Sequence, residues 1–141
     1  MKRKASAVWQ GPLQEGKGTM STSSGVLDKT QYSFATRFAD GIGTNPEELI
    51  AAAHAGCFSM ALSAALGNAG LKPESIATTA ELTLEKLEAG WTISAIHLDV
   101  NAKVPGADEA TFTPIAEGAK ANCPVSRVLN AKITMDAKLE S

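Results

Sequence analysis

The stretch Asn45-Pro46-Glu47-Glu48-Leu49-Ile50-Ala51-Ala52-Ala53-His54-Ala55-Gly56-Cys57-Phe58-Ser59-Met60-Ala61-Leu62-Ser63-Ala64-Ala65-Leu66-Gly67, running on to Gly70, decides how this chain folds. Asn45 has the side chain of an N-cap, Pro46 suits the first helical position, and Glu48 stands where a capping-box acid reaches back. Gly67 and Gly70 supply the stop. Leu49, Ile50, Phe58, Met60, Leu62 and Leu66, with many alanines, cover nearly every face between those signals. A helix apolar all round is a buried helix.

Its length says how it is buried. Two dozen residues make a rod of about 36 Å, whereas a compact chain of this size has a radius of gyration of about 14 Å. One small subunit can hardly wrap such a rod on all sides, so a second copy of the chain is expected to cover part of it. The small residues Ala51, Ala52, Ala53, Ala55 and Gly56 would let a partner backbone come close.

With 141 residues the chain is expected to form a single domain, residues 1–141, with one respectable core. A net charge of −2, with no basic cluster beyond Lys2-Arg3-Lys4, argues against nucleic acid and membrane surfaces as partners. No apolar signal core follows that basic start. Glu47, Glu48, His54, Ser59 and Ser63 interrupt the long helix as a membrane span. A cytoplasmic location is the expectation. Two cysteines, Cys57 and Cys123, are too few for a disulfide scaffold, so in a reducing compartment they either pack or do redox chemistry.

Outward from the long helix, period-2 alternation predicts strands over 5–10, near 19–23 and over 31–38, the last placing Arg37 on a strand that feeds the helix. After Lys72-Pro73-Glu74, strands over 77–87 and 91–104 are joined by Glu88-Ala89-Gly90 as a hairpin turn. A second helix lies within 108–121 and ends at Asn122-Cys123-Pro124, because proline discourages continuation. Ser126 caps a short turn through Leu129, and 132–138 is the last strand. The order βββ-α-ββ-α-β makes an α+β fold of antiparallel sheets packed around a long central helix.

Cys57 is the first candidate for chemistry. Free cysteine is among the most buried residue types, so simple packing stands as one reading. A thiolate in an apolar site needs a cation nearby, and Arg37 is the best placed in sequence. An arginine aimed into an apolar interior wants a carboxylate in turn, which Glu47 or Glu48 offers. Glu47 and Cys57 lie ten residues apart, about 15 Å along one helix. They cannot share a pocket within one helix. Two helices crossing antiparallel about a two-fold axis near residue 52 would bring Glu47 of one chain towards Cys57 of the other. Cys123 reads either as packing at a helix end or as a resolving thiol that attacks an oxidised Cys57. His54 is a weaker candidate for a base or a metal ligand, with only His97 as a second histidine. Glu81, Glu85 and Asp99 read as a solvated face.

These residues carry a resemblance. Thr36-Arg37-Phe38-Ala39-Asp40-Gly41, then Gly43-Thr44-Asn45-Pro46-Glu47-Glu48-Leu49 through Ala55-Gly56-Cys57-Phe58, is similar to the OsmC/Ohr family of osmotically inducible and organic hydroperoxide resistance proteins. Ala121-Asn122-Cys123-Pro124-Val125-Ser126 resembles its second cysteine motif. The likeness covers nearly the whole chain and leans to the OsmC branch. It implies an intertwined homodimer and an antioxidant, cysteine-based peroxidase without metal or prosthetic group, acting in oxidative or osmotic stress. Its substrates would be hydroperoxides, organic ones preferred, and its reductant an external dithiol. By motif, Cys57 matches the peroxidatic cysteine, Cys123 the resolving cysteine of a redox-active disulfide, Glu47 the active-site glutamate and Arg37 the activating arginine. An apolar wall of Ile50, Phe58 and Met60 would favour an alkyl hydroperoxide.

Two rival readings stand beside the peroxidase. One is a redox sensor or apolar-ligand-binding dimer whose thiols register peroxide without turnover. The other is a structural dimer with packing cysteines. A cysteine hydrolase lacks an evident Cys-His-Asp set.

Overall fold

The computed structural model describes residues 1–140, and the chain divides into two compact units, the first ending at Leu49 and the second beginning at Ile50. In the first unit, β1 (Ala5–Gln10), β2 (Lys17–Thr22) and β3 (Thr30–Tyr32) form an antiparallel sheet in that order. Every residue of β1 is exposed. Trp9 packs on Tyr32 with ring centroids 5.5 Å apart. Gly18 is buried between these rings, where a Cβ would come within 2.6 Å of Tyr32 and 2.7 Å of Trp9. A side chain there would have to displace one of the two rings.

The strand expected over 31–38 stops at Tyr32, and α1 (Phe34–Phe38) takes the rest. Ser33 is responsible. Its hydroxyl accepts the Thr36 N–H at 3.3 Å, and the Thr36 hydroxyl accepts the Ser33 N–H at 2.8 Å. That capping box satisfies backbone groups that a strand ladder would otherwise take, and it turns the alternating pattern into a helical turn.

The long helix α2 (Pro46–Asn68) starts as the sequence predicts. The Asn45 side chain accepts the Glu48 N–H at 2.7 Å. Glu48 does not close a capping box on Asn45; it accepts from the Thr44 hydroxyl instead, at 2.6 Å. Within the chain only one stripe of α2 beyond Leu49 is deeply buried: His54, Phe58, Leu62 and Leu66, at four-residue spacing. The opposite face, with Ala52, Ala53, Gly56, Met60 and Ala64, is exposed. By length and composition α2 could also cross a membrane, a property it shares with the core helices of soluble proteins.

The second unit builds its core on that stripe. β4 (Ser75–Leu87), β5 (Gly90–Lys103) and β6 (Lys132–Glu140) form a sheet in that order. Ile96, Leu98, Val100 and Ala102 of β5 face Phe58, Leu62 and Leu66 of α2, with Phe112, Ala116 and Ala119 of α3 (Glu109–Asn122). The hairpin between β4 and β5 is antiparallel, as expected, with Glu88 and Ala89 in the turn. A register shift opposite Thr83 and Leu84 explains why the alternation in β5 is imperfect near Ser94. Glu81, Glu85 and Asp99 are exposed. A further expectation fails. β6 runs parallel to β5, because α3 and α4 (Pro124–Val128) form a crossover that returns the chain to the start of β5. The second sheet is therefore mixed.

Leu62 is wholly buried at the centre of this core, so Leu62→Ala is expected to lower the unfolding free energy by about 2–5 kcal/mol. Urea unfolding followed by circular dichroism checks this.

Candidate active site

Two helical turns of the second unit meet at the cysteines. On α2, His54 and Cys57 are three residues apart. At the junction of α3 and α4, Cys123 and Ser126 have the same spacing. Cys123 is at once the C-cap of α3, its N–H bonded to the Ala119 carbonyl at 2.9 Å, and the N-cap of α4, its carbonyl accepting from Arg127 N–H at 3.0 Å. Pro124 holds it extended, with ψ 126°. The sulfurs of Cys57 and Cys123, both free thiols, lie 3.0 Å apart. A disulfide needs about 2.05 Å, so an approach of about 1 Å closes it. Cys123 has no exposure, whereas Cys57 is half-buried.

The two thiols differ in charge preference. Burial pushes the Cys123 thiol up, but the hydrogen-bonded Cys57 thiol, the N–H groups of Ser126 and Val125 and the Ser126 hydroxyl outweigh it, leaving Cys123 below its ordinary value. Burial also pushes Cys57 up, its neighbour Cys123 adds to this, and the Val125 N–H only partly opposes it. The pair's first negative charge therefore favours Cys123, and no cation figures among the described groups acting on Cys57. The second contact lies one turn away, where His54 Nε2 and Ser126 Oγ are 2.7 Å apart and fully or nearly buried. Burial holds His54 below its ordinary value, so the ring is neutral near pH 7.

The first unit holds the charged pair. Glu47, in the first turn of α2, accepts from Arg37 Nε at 2.8 Å and from Nη2 at 2.7 Å, both on Oε1. Glu47 is buried, and its Oε2 has no partner among the described residues. The guanidinium lies 5.1 Å from the centre of the Phe38 ring. Arg37, Trp9, Leu13, Tyr32, Phe34 and Phe38 line a largely aromatic cavity of about 220 Å³.

Arg37 thus sits on a short helix rather than a strand, and of its two candidate partners it has Glu47 and not Glu48. The structure joins Arg37 to Glu47 in one unit and Cys57 to Cys123 in the other. Phe58 and Met60 do not form a wall beside Cys57: Phe58 points into the core, and Met60 is 77% exposed on the other side of the helix. His97 lies on the outer face of β5, 3.2 Å from Asp136, and has no part with His54. Ser126 does not cap a turn; it is the residue that reading the sequence missed. The matched spacings His54–Cys57 and Cys123–Ser126 are the signal that would have found it.

An α+β chain with two free thiols in contact is a dithiol protein. Its fold is that of the organic hydroperoxide resistance protein OhrB of Bacillus subtilis, with a TM-score of 0.71 at 22% identity over 96% of this chain and 98% of that one. The chain belongs to the family of OsmC-like proteins, whose model matches residues 39–138. It is 55% identical to the peroxiredoxin OsmC of Escherichia coli over 99% of this chain and 97% of that protein. The organic hydroperoxide resistance protein of Xanthomonas axonopodis is more distant, at 30% identity over 72% of this chain and 70% of its own length.

Oxidation of the reduced protein by one equivalent of diamide is expected to take its titratable thiols from two to none. Non-reducing electrophoresis should show a monomer band with an internal Cys57–Cys123 disulfide and no crosslinked species.

Proposed function

We propose that this chain is a thiol-dependent peroxidase that reduces hydroperoxides in stress defence, organic ones in preference to hydrogen peroxide. The observation that carries the reading is the pair of free thiols 3.0 Å apart, one reachable and one buried. The family membership and the peroxiredoxin relative support it.

The accessible sulfur is the one that meets substrate. Cys57, as thiolate, attacks the distal oxygen of ROOH; the S–O bond forms as the O–O bond breaks, and RO⁻ leaves as the alcohol after taking a proton. Cys123 thiolate then attacks the Cys57 sulfenic acid. An S–S bond forms, the S–O bond breaks, and hydroxide departs as water. An external dithiol reduces the disulfide by exchange.

Cys57 needs a cation to become the first thiolate, because its own unit raises it. Arg37, held by two bonds to Glu47, is the cation we assign, and its aromatic cavity supports a preference for an organic peroxide tail. Glu47 and Cys57 are ten residues apart on one helix, so the pairing we propose is between copies. Two α2 helices cross near Ala52, and the Arg37–Glu47 pair of one serves Cys57 of the other. The exposed face of small residues and Met60 on α2, and the wholly exposed β1, support a homodimer. Residues 1–141 then act as one functional domain within an intertwined pair, soluble in the cytoplasm.

Cumene hydroperoxide and hydrogen peroxide consumption with a dithiol tests the reading. Wild type is expected to turn over both, cumene hydroperoxide faster, and Cys57→Ser neither. Stoichiometric oxidation of Cys57 without cycling would instead favour the sensor. Sedimentation equilibrium is expected to give twice the chain mass of 14.6 kDa. Met60→Arg should shift the protein towards monomer and cost activity with it.

A further inference from the structure

We propose that Asn45 is a positioning residue for the Arg37–Glu47 pair. Its one carboxamide caps two helices at once, and so holds α1, which carries the arginine, against the first turn of α2, which carries the glutamate. The bridge itself rests on geometry; its consequence for Cys57 rests on the peroxidase reading.

One half of the bridge is a contact that capping α2 does not require. Asn45 Oδ1 accepts the Glu48 N–H at 2.7 Å, the ordinary bond of an N-cap. Asn45 Nδ2 donates to the Thr36 carbonyl at 2.9 Å. Only this orientation of the amide satisfies both neighbours, because a backbone N–H can bond only the oxygen and a carbonyl only the NH₂. Thr36 stands immediately before Arg37, and its carbonyl is one of those that the end of a helix leaves without an intrahelical partner. α1 has five residues, too short to stand alone. Ser33 and Thr36 fix its start, and Asn45 fixes its end.

The connection between the two helices serves the same end. Thr44 is buried, and its N–H donates to the Gln31 carbonyl at 3.0 Å. At Gly41 a Cβ would come within 2.8 Å of the Thr36 nitrogen. At Gly43, whose φ is +136°, it would come within 2.6 Å of the Gln31 carbonyl oxygen. The loop thus lies against α1 and the end of β3 more closely than side chains at these two positions would allow. Arginine has a long side chain with much rotamer freedom to lose. Its Nε and Nη2 meet the same Glu47 oxygen, at 2.8 and 2.7 Å, and that geometry needs the two backbones set in advance.

An N-cap alone would not call for asparagine. Serine and aspartate cap a helix start about as well. Aspartate, however, has no donor for the Thr36 carbonyl, and the single oxygen of serine is taken by the cap. The two roles of Asn45 can therefore be separated by substitution.

Two measurements on the whole chain test the bridge. In the first, exchange of the Arg37 Nε–H with solvent is followed by nuclear magnetic resonance. Asn45→Ser is expected to unfold close to the wild-type temperature, since the cap is kept. It should speed the exchange by about threefold to tenfold, the factor that goes with one lost hydrogen bond. Asn45→Asp should act in the same direction. Exchange at the wild-type rate in both variants overturns the proposal, because Asn45 is then a cap only. In the second, alkylation of Cys57 by iodoacetamide is measured against pH in a Cys123→Ser background. A cation beside Cys57 lowers the midpoint, so adding Asn45→Ser should move it up, by about half a unit to one unit. Faster Nε–H exchange with an unmoved midpoint upholds the bridge and overturns the assignment of Arg37 to Cys57.

Discussion

The close approach of the Cys57 turn of α2 to the Cys123 turn at the start of α4 is the contact on which the chemistry of the second unit depends. Neither turn is free to drift. α2 is fixed by Phe58, Leu62 and Leu66 in the core, and Cys123 is pinned between two helices by backbone hydrogen bonds on both sides. The sulfurs meet at 3.0 Å because the helices carrying them are already packed. A second contact one turn away, between His54 and Ser126, fixes the azimuth as well as the distance. Preorganisation of this kind is what makes an intramolecular thiol step fast, since little entropy remains to be lost.

The parallel β5–β6 ladder is part of the same arrangement. Placing Cys123 beside α2 requires α3 to cross the sheet and α4 to turn the chain back, and a crossover of that length delivers a parallel strand. The sheet's mixed character is thus a consequence of where the second cysteine has to be.

Much of this was legible in the sequence because it is locally encoded. The N-cap Asn45, the apolar run to Gly67, the β4–β5 hairpin and the stop at Pro124 each depend on residues close together in the chain. The site pairs Cys57–Cys123 and Arg37–Glu47 were legible as residue types through the two cysteine motifs. What failed depended on choices that pattern cannot settle. Phe34-Ala35-Thr36-Arg37-Phe38 alternates like a strand, yet one hydroxyl at Ser33 makes it a helix. Ile50, Phe58 and Met60 are equally apolar, but their helical azimuths differ, so Phe58 and Met60 point to opposite environments. Ser126 escaped because its partner is 72 residues away.

The two sulfurs pose an electrostatic problem with a division of labour as its solution. Within its own unit, the buried cysteine is the one favoured as thiolate, while the reachable cysteine is held protonated by burial and by its neighbour. A peroxidase built on this pair must reverse that order before substrate attack and restore it afterwards. On the proposed mechanism a cation supplied to Cys57 would accomplish the first, a role assigned to Arg37, which is clamped by a buried glutamate and cannot lose its charge. Once Cys57 is oxidised it no longer competes for negative charge, and the donors around Cys123 act unopposed. On the proposed mechanism the order of the two steps is therefore set by which sulfur holds the charge in each state, without any movement of the helices that carry them.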